Sequence, residues 1–220
     1  MAKGQIFIII AIIMVVALVL IRTSLNLTKI LENKRFLELG LERLEFQNIR
    51  NEMTKTLQVS YNQSNISDNV NSFMKFAKDS FASRTTTMSG IAVTAMFPNV
   101  TLSVGILVPI PLNVTVLNYF DDDLTNLNLT FNNVKQAFTS VPKSSRVVTN
   151  FTFTTGNDVN YSLTMNYTSG SLNGTENITI PVEIGKTKFI GFFDIRISST
   201  RLEQRDKFTE IVTLNSTRKV

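Results

Sequence analysis

The chain has no cysteine, no histidine and no tryptophan among its 220 residues. Without cysteine it forms no disulfide and offers no thiolate nucleophile. Without histidine it lacks the commonest general base and the commonest transition-metal ligand. Serine-histidine, cysteine-histidine and zinc-histidine sites are therefore excluded by residue type. Glycine-rich phosphate loops are also missing, and no cofactor is expected. The net charge is +5, but acidic and basic residues alternate along the chain. No block of lysine and arginine with interleaved aromatics stands out, so nucleic acid is not an expected partner. The length suits one domain of ordinary size plus an anchor, enough to bury a core without covalent staples.

What the chain does have is an apolar run from Ile6 to Ile21, closed by Arg22, with no charge, proline or glycine inside it. As a helix, these 16 residues cover about 24 Å. A hydrocarbon core is about 30 Å thick. The run spans if Lys3 and Arg22 snorkel or the bilayer thins locally. The rival reading is a secretory signal peptide, but the run exits into Ile21-Arg22-Thr23-Ser24 with no Ala-x-Ala-like cleavage site. A retained single-pass anchor in the lipid bilayer is expected. The basic residues just after it could touch anionic head groups.

The string Lys3-Gly4-Gln5, followed at once by the apolar helix, resembles the class III signal peptide of archaeal type IV pilin-like surface proteins. The resemblance covers about the first 25 residues. It implies cleavage on the cytoplasmic side between Gly4 and Gln5, with the apolar helix retained. It also implies other pilin-like subunits as partners through that helix. Filament-forming members usually carry Glu at the fifth mature position, where this chain has Ile9. That departure bears on polymerisation more than on processing. Lysine and arginine bias alone would put the C-terminal side in the cytoplasm. The signal resemblance and the sequons below point the other way, so the body is expected outside.

The expected fold is α+β: a transmembrane, long N-terminal helix followed by an antiparallel β-sandwich. Residues 1–24 form leader and span, 25–84 an amphipathic helix, a polar loop and a short second helix, and 85–220 the extracytoplasmic sandwich. Past Arg22 the apolar residues Leu27, Ile30, Leu31, Leu37, Leu41 and Leu44 fall at helical steps, and Phe46, Ile49, Met53 and Leu57 continue them. One helix from Gln5 to Leu57 accounts for this. Two helices meeting near Leu25 do so nearly as well, and a stalk or coiled-coil dimer is the plainer use of such a helix. Tyr61–Ser67 reads as a polar loop. A helix from Asp68 to Ala82 follows, capped by Ser67 or Asp68, with Val70, Phe73, Ala77 and Phe81 on one side. From Gly90 the apolar period becomes two, as in Val159, Tyr161, Leu163, Met165 and Tyr167. About eight such runs predict a sandwich. Phe151–Thr154 is expected to form a hairpin with Val159–Tyr167. Val104–Leu112 reads as a central strand and turn, Ser198–Lys207 as a loop or short helix, and Phe208–Leu214 as a late strand.

Asn-x-Ser/Thr occurs at Asn26, Asn62, Asn65, Asn99, Asn113, Asn128, Asn150, Asn160, Asn166, Asn173, Asn177 and Asn215. With 22 Asn and 44 Ser plus Thr, chance placement gives about four. The excess points to N-glycosylation. An Asn/Thr-rich wet strand face produces sequons with no selection for sugar, because positions i and i+2 share a face. That accounts for Asn128, Asn150, Asn160, Asn166 and Asn177 better than for the sites in loop or helical segments.

Asp121-Asp122-Asp123 is the densest acid cluster. It is a weak calcium candidate, because adjacent turn residues splay and no twelve-residue ligand pattern surrounds them. Asp194 and Arg196 read as an exposed ion pair on one strand face. The expectation is a membrane-anchored, pilin-like surface protein with a structural or adhesive role and no enzymatic activity. An anchored binding or sensor module with no filament role is the alternative. A hydrolase using two distant carboxylates is a third.

Overall fold

The computed structural model describes residues 2–60, 66–82, 86–98, 109–154, 159–183, 185–199 and 203–215. They form two helices and nine strands, in two compact units, Met1–Arg50 and Asn51–Val220. Helix α1 (Ala2–Val59) is continuous, with no junction at Leu25. Nothing in its sequence breaks it, since it contains no proline and, past Gly4 in the first turn, a single glycine, Gly40, which costs about 1 kcal/mol against alanine.

In the first unit, α1 carries a 21-residue stretch, Met14–Lys34, of mean hydropathy 1.7 with none of it buried. It is long and apolar enough to cross a membrane. Met14, Val15, Val16 and Leu20 are exposed, and so, further along, are Leu25, Ile30, Leu31 and Leu44. The apolar stripe read from the sequence is thus uncovered at Ile30, Leu31 and Leu44, whereas Phe46, Ile49, Met53 and Leu57, which continue it, are buried. The side chains of residues 6–13, Leu27, Leu37 and Leu41 lie outside the description.

The second unit is a sandwich of two antiparallel sheets. Its strands are β1 (Thr87–Phe97), β2 (Ile110–Asn118), β3 (Leu124–Phe131), β4 (Val134–Val141), β5 (Arg146–Phe153), β6 (Val159–Ser169), β7 (Leu172–Val182), β8 (Lys186–Ser198) and β9 (Glu203–Asn215). One sheet runs β5-β2-β1-β8-β9 and the other β4-β3-β6-β7. Their inner faces share one core: Ile91, Val93, Leu112, Val114, Phe151 and Phe192 from the first meet Leu127, Leu129, Leu163, Met165, Ile178 and Ile180 from the second. An aromatic cluster ties the sheets at one end. Phe131 lies 5.9 Å from Phe97 and 5.7 Å from Phe151, and Phe153 lies 5.2 Å from Tyr161, centroid to centroid.

The expected hairpin of Phe151–Thr154 with Val159–Tyr167 does not form. β5 pairs with β2, whereas β6 pairs with β3 and β7. The chain crosses between sheets here, and Phe153 and Tyr161 meet as inward residues of opposite layers rather than as ladder partners. Residues 155–158 of the expected turn, and 104–108 of the expected Val104–Leu112 strand, lie outside the description. β4 has no alternating apolar signal and was not foreseen. The described residues of Ser198–Lys207 form no helix: Ser198 ends β8 and Glu203 already pairs with it as β9 begins, while residues 200–202 lie outside the description.

Helix α2 (Ile66–Ala82) and the end of α1 cover the outer face of the five-stranded sheet. In α2 the buried residues are Ile66, Val70, Met74, Ala77 and Phe81. Met74 takes the place expected for Phe73, because steps of four from Ile66 and Val70 point at the sheet. Ser67 and Asp68 fall inside the first turn rather than at a cap. Met53 and Leu57 of α1 are fully buried. Gly191 of β8 makes that approach possible: a Cβ there would lie 2.7 Å from Leu57 Cδ1.

Candidate functional site

The outer face of the four-stranded sheet follows from strand alternation. Along β6, Tyr161, Leu163, Met165 and Tyr167 are buried. Asn160, Ser162, Thr164, Asn166 and Thr168 therefore point outward. In β7 the outward set is Asn173, Thr175, Asn177 and Thr179, and in β3 it includes Asn128 and Thr130. None of these side chains is charged or aromatic. Asn128 stands opposite Asn166, Thr130 opposite Thr164, Asn166 opposite Thr175 and Thr164 opposite Asn177. Hydroxyls brace some of the amides: Thr168 Oγ1 donates to Asn173 Oδ1 at 2.9 Å, and Asn177 Oδ1 accepts from Ser162 and, at 3.4 Å, from Thr164. Asn128 Nδ2 donates to the carbonyl of Asn126 at 3.0 Å. That carbonyl is reachable because Asn126, at φ 55°, sits in a bulge between Thr125 and Asn128.

Five sequon asparagines thus gather on one sheet face: Asn128, Asn160, Asn166, Asn173 and Asn177. Two more, Asn113 and Asn150, are exposed partners across β2 and β5. Asn113 also lines a cavity of about 120 Å³ with Ile66, Ser67, Thr94, Ala95, Met96 and Thr115. Asn26 is exposed on α1, and Asn215 ends β9. Asn62, Asn65 and Asn99 lie outside the described residues, and Gly4 and Gln5 fall in the first turns of α1. No sequon asparagine whose side chain is described is buried. Each such amide can meet solvent, the minimum a sugar acceptor requires.

The sequence reading of Asp194 is overturned. Asp194 is fully buried, facing the interior between the sheets. Its partner is Arg205 of β9, which donates from Nε to Oδ1 at 2.8 Å and from the second guanidinium nitrogen to Oδ2 at 2.5 Å. The Tyr167 hydroxyl, from the opposite sheet, also donates to Oδ2. Arg196 pairs instead with Glu203, at 2.8 Å. A carboxylate sealed away from water needs this number of donors. Burial first, and then Asp194, push the Tyr167 phenol far above its ordinary range. Hydrogen bonding to Asp194 raises the Arg205 guanidinium still further. The Tyr167 ring lies across its ladder partner Gly174, where any Cβ would collide with it. Beside this node, Lys207 of β9 pairs with Glu176 of β7, a second bond between the sheets. The period-two pattern gave no hint of the node, since Asp194 alternates with Phe193 and Ile195 and has Arg196 as a ready partner on its own face.

At another edge Glu183 accepts from Lys186 and, at 2.6 Å, from the buried Lys188. The hydrogen bonds from Lys186 and then Lys188 lower its carboxyl to about 2. The three aspartates disperse: Asp121 pairs with Lys78 of α2 at 3.2 Å, the Asp122 carbonyl accepts from Asn118, and Asp123 accepts from the Lys143 amide at 3.0 Å. Among the described residues no three acids gather to hold a metal ion.

The arrangement is that of a two-layer body with an amide-hydroxyl face on one side, carrying Lys135 at its β4 edge, and helices on the other. Comparison with known protein families, curated proteins and solved structures gives no match.

Proposed function

We propose that this chain is a membrane-anchored, pilin-like surface protein with a structural or adhesive role, its sandwich outside the cell and bearing N-linked sugar. The observation that carries this reading is the union of an exposed, membrane-length apolar stretch in α1 with a sandwich whose outward amides sit in sequons. An Asn/Thr/Ser face on which Lys135 is the charge at the β4 edge has little use as an active site, but it is a ready acceptor surface for glycans. The two sheets are joined by polar bonds as well as by the core, which suits a body that bears load. Exposed Ile30, Leu31 and Leu44 give α1 an apolar stripe for neighbouring helices of the same type.

The test is mass spectrometry of protein purified from native membranes, together with shearing of cells. This reading expects an N-terminus at Gln5, sugar mass on the sandwich and the protein in surface fibres. An intact or merely Met-trimmed N-terminus, absence of sugar and recovery from the cytosol would sink it. Ile9 in place of the assembly glutamate favours the second reading, an anchored binding module outside any filament. That reading expects the sugar and the anchor but no protein in sheared fibres.

A further inference from the structure

Four of the sequon asparagines form two directly opposed pairs. Asn128 faces Asn166 across β3 and β6, and Asn113 faces Asn150 across β2 and β5. Opposed side chains in an antiparallel ladder have their Cβ atoms about 4.5–5.5 Å apart. Two sugar chains rooted that close contend for the same water-filled volume above the ladder, so neither keeps its full hydration. The members of each pair are also unequal. Asn128 Nδ2, the atom that would carry sugar, donates to the Asn126 carbonyl, whereas Asn166 has no such tie among the described residues. Both Asn113 and Asn150 are exposed, but Asn113 lies on inner strand β2 and lines the cavity beside the start of α2, whereas Asn150 lies on edge strand β5.

From this we infer that each opposed pair carries one glycan and not two, on Asn166 and Asn150, leaving Asn128 and Asn113 bare. The inference rests on the glycosylation reading above. Sugar transfer before folding does not escape the limit, because a chain modified at both members cannot close the ladder with both sugars hydrated. Asn173 and Asn177 serve as internal references. They lie four residues apart on one strand, about 13 Å, with both carbonyl oxygens held by hydroxyls and both nitrogens left over.

Site occupancy is read by glycopeptide mass spectrometry on the full chain from native membranes. Sugar on Asn166 and Asn150, with the two occupancies in each pair summing to no more than one, supports the inference. A sum above one in either pair, or preference for Asn128 or Asn113, overturns it while leaving glycosylation itself intact. Sugar on no peptide, Asn173 and Asn177 included, overturns both. In an Asn166→Gln variant, sugar is expected to shift to Asn128, because the competing chain is gone. A bare Asn128 in that variant would refute the exclusion.

Discussion

Replacing Asp194 by Ala would leave the Arg205 guanidinium and the Tyr167 hydroxyl without their shared acceptor. Breaking a buried ion pair costs about 3–5 kcal/mol. Arg205 keeps about a quarter of its side chain in solvent, so a loss of about 2–4 kcal/mol is expected in urea unfolding. Tyr167→Phe keeps the ring over Gly174 and removes one donor of three, so it should cost about 1–2 kcal/mol. If both variants unfold at the same urea concentration as the parent, the node contributes nothing to stability. Glu183 gives a pH signature of the opposite kind to a buried base. Its folded pKa, about 2, lies below the ordinary carboxyl value of 4.5. Its contribution is therefore present above about pH 4.5 and disappears as pH falls toward 2. A Glu183→Gln variant should match the parent near pH 2 and be the less stable of the two at neutral pH.

Turns and close approaches decide how the elements meet. β3 and β4 are joined by Asn132 and Asn133 at φ 45° and 67°, the two left-handed positions of a type I′ hairpin. Asparagine tolerates them and alanine does not, so Asn133→Ala should cost about 1 kcal/mol, whereas Asn133→Gly should be neutral or stabilising. Thermal unfolding of the two variants checks the sign. The β6–β7 ladder depends on a different glycine. Gly174→Ala would drive a methyl into the Tyr167 ring and cost about 1–3 kcal/mol through overpacking. A variant as stable as the parent would mean that the ring can move aside without losing Asp194.

For the molecule as a whole, the two units should respond independently to changes in α1. Val16 is exposed and lies in the inner part of the apolar run Ile6–Ile21, and a lysine near a helix centre costs about 2.5–3.5 kcal/mol of membrane insertion. Val16→Lys should therefore shift the protein from the carbonate-resistant membrane fraction toward the soluble one. Unfolding of the sandwich should be unchanged, because its core uses no residue from that stretch. Retention in the membrane despite the charge would argue against insertion through this segment.

Much of this architecture was legible in the residues alone. Uninterrupted apolar character from Ile6 to Ile21 and helical spacing to Leu57 dictated helix, because each signal is local and repeats, but that no junction falls near Leu25 was decided only in the structure. Strict alternation dictated strands with one buried face, and so an α+β chain ending in two antiparallel layers. Strand order was not legible: Phe151–Thr154 and Val159–Tyr167 read as a hairpin, because alternation tells which residues are inward but not which layer they belong to. The turn at Asn132-Asn133 lacked glycine, and β4 lacked an apolar stripe, so neither gave a signal. Asp194 was misplaced for the same reason. A carboxylate at an alternating position reads as wet until an arginine eleven residues on and a tyrosine from the opposite sheet are brought around it. Sequence periodicity sets which face each side chain takes. Only the packing of one sheet on the other decides which of those faces holds water, and only strand order and register within each sheet decide which amides stand opposite one another.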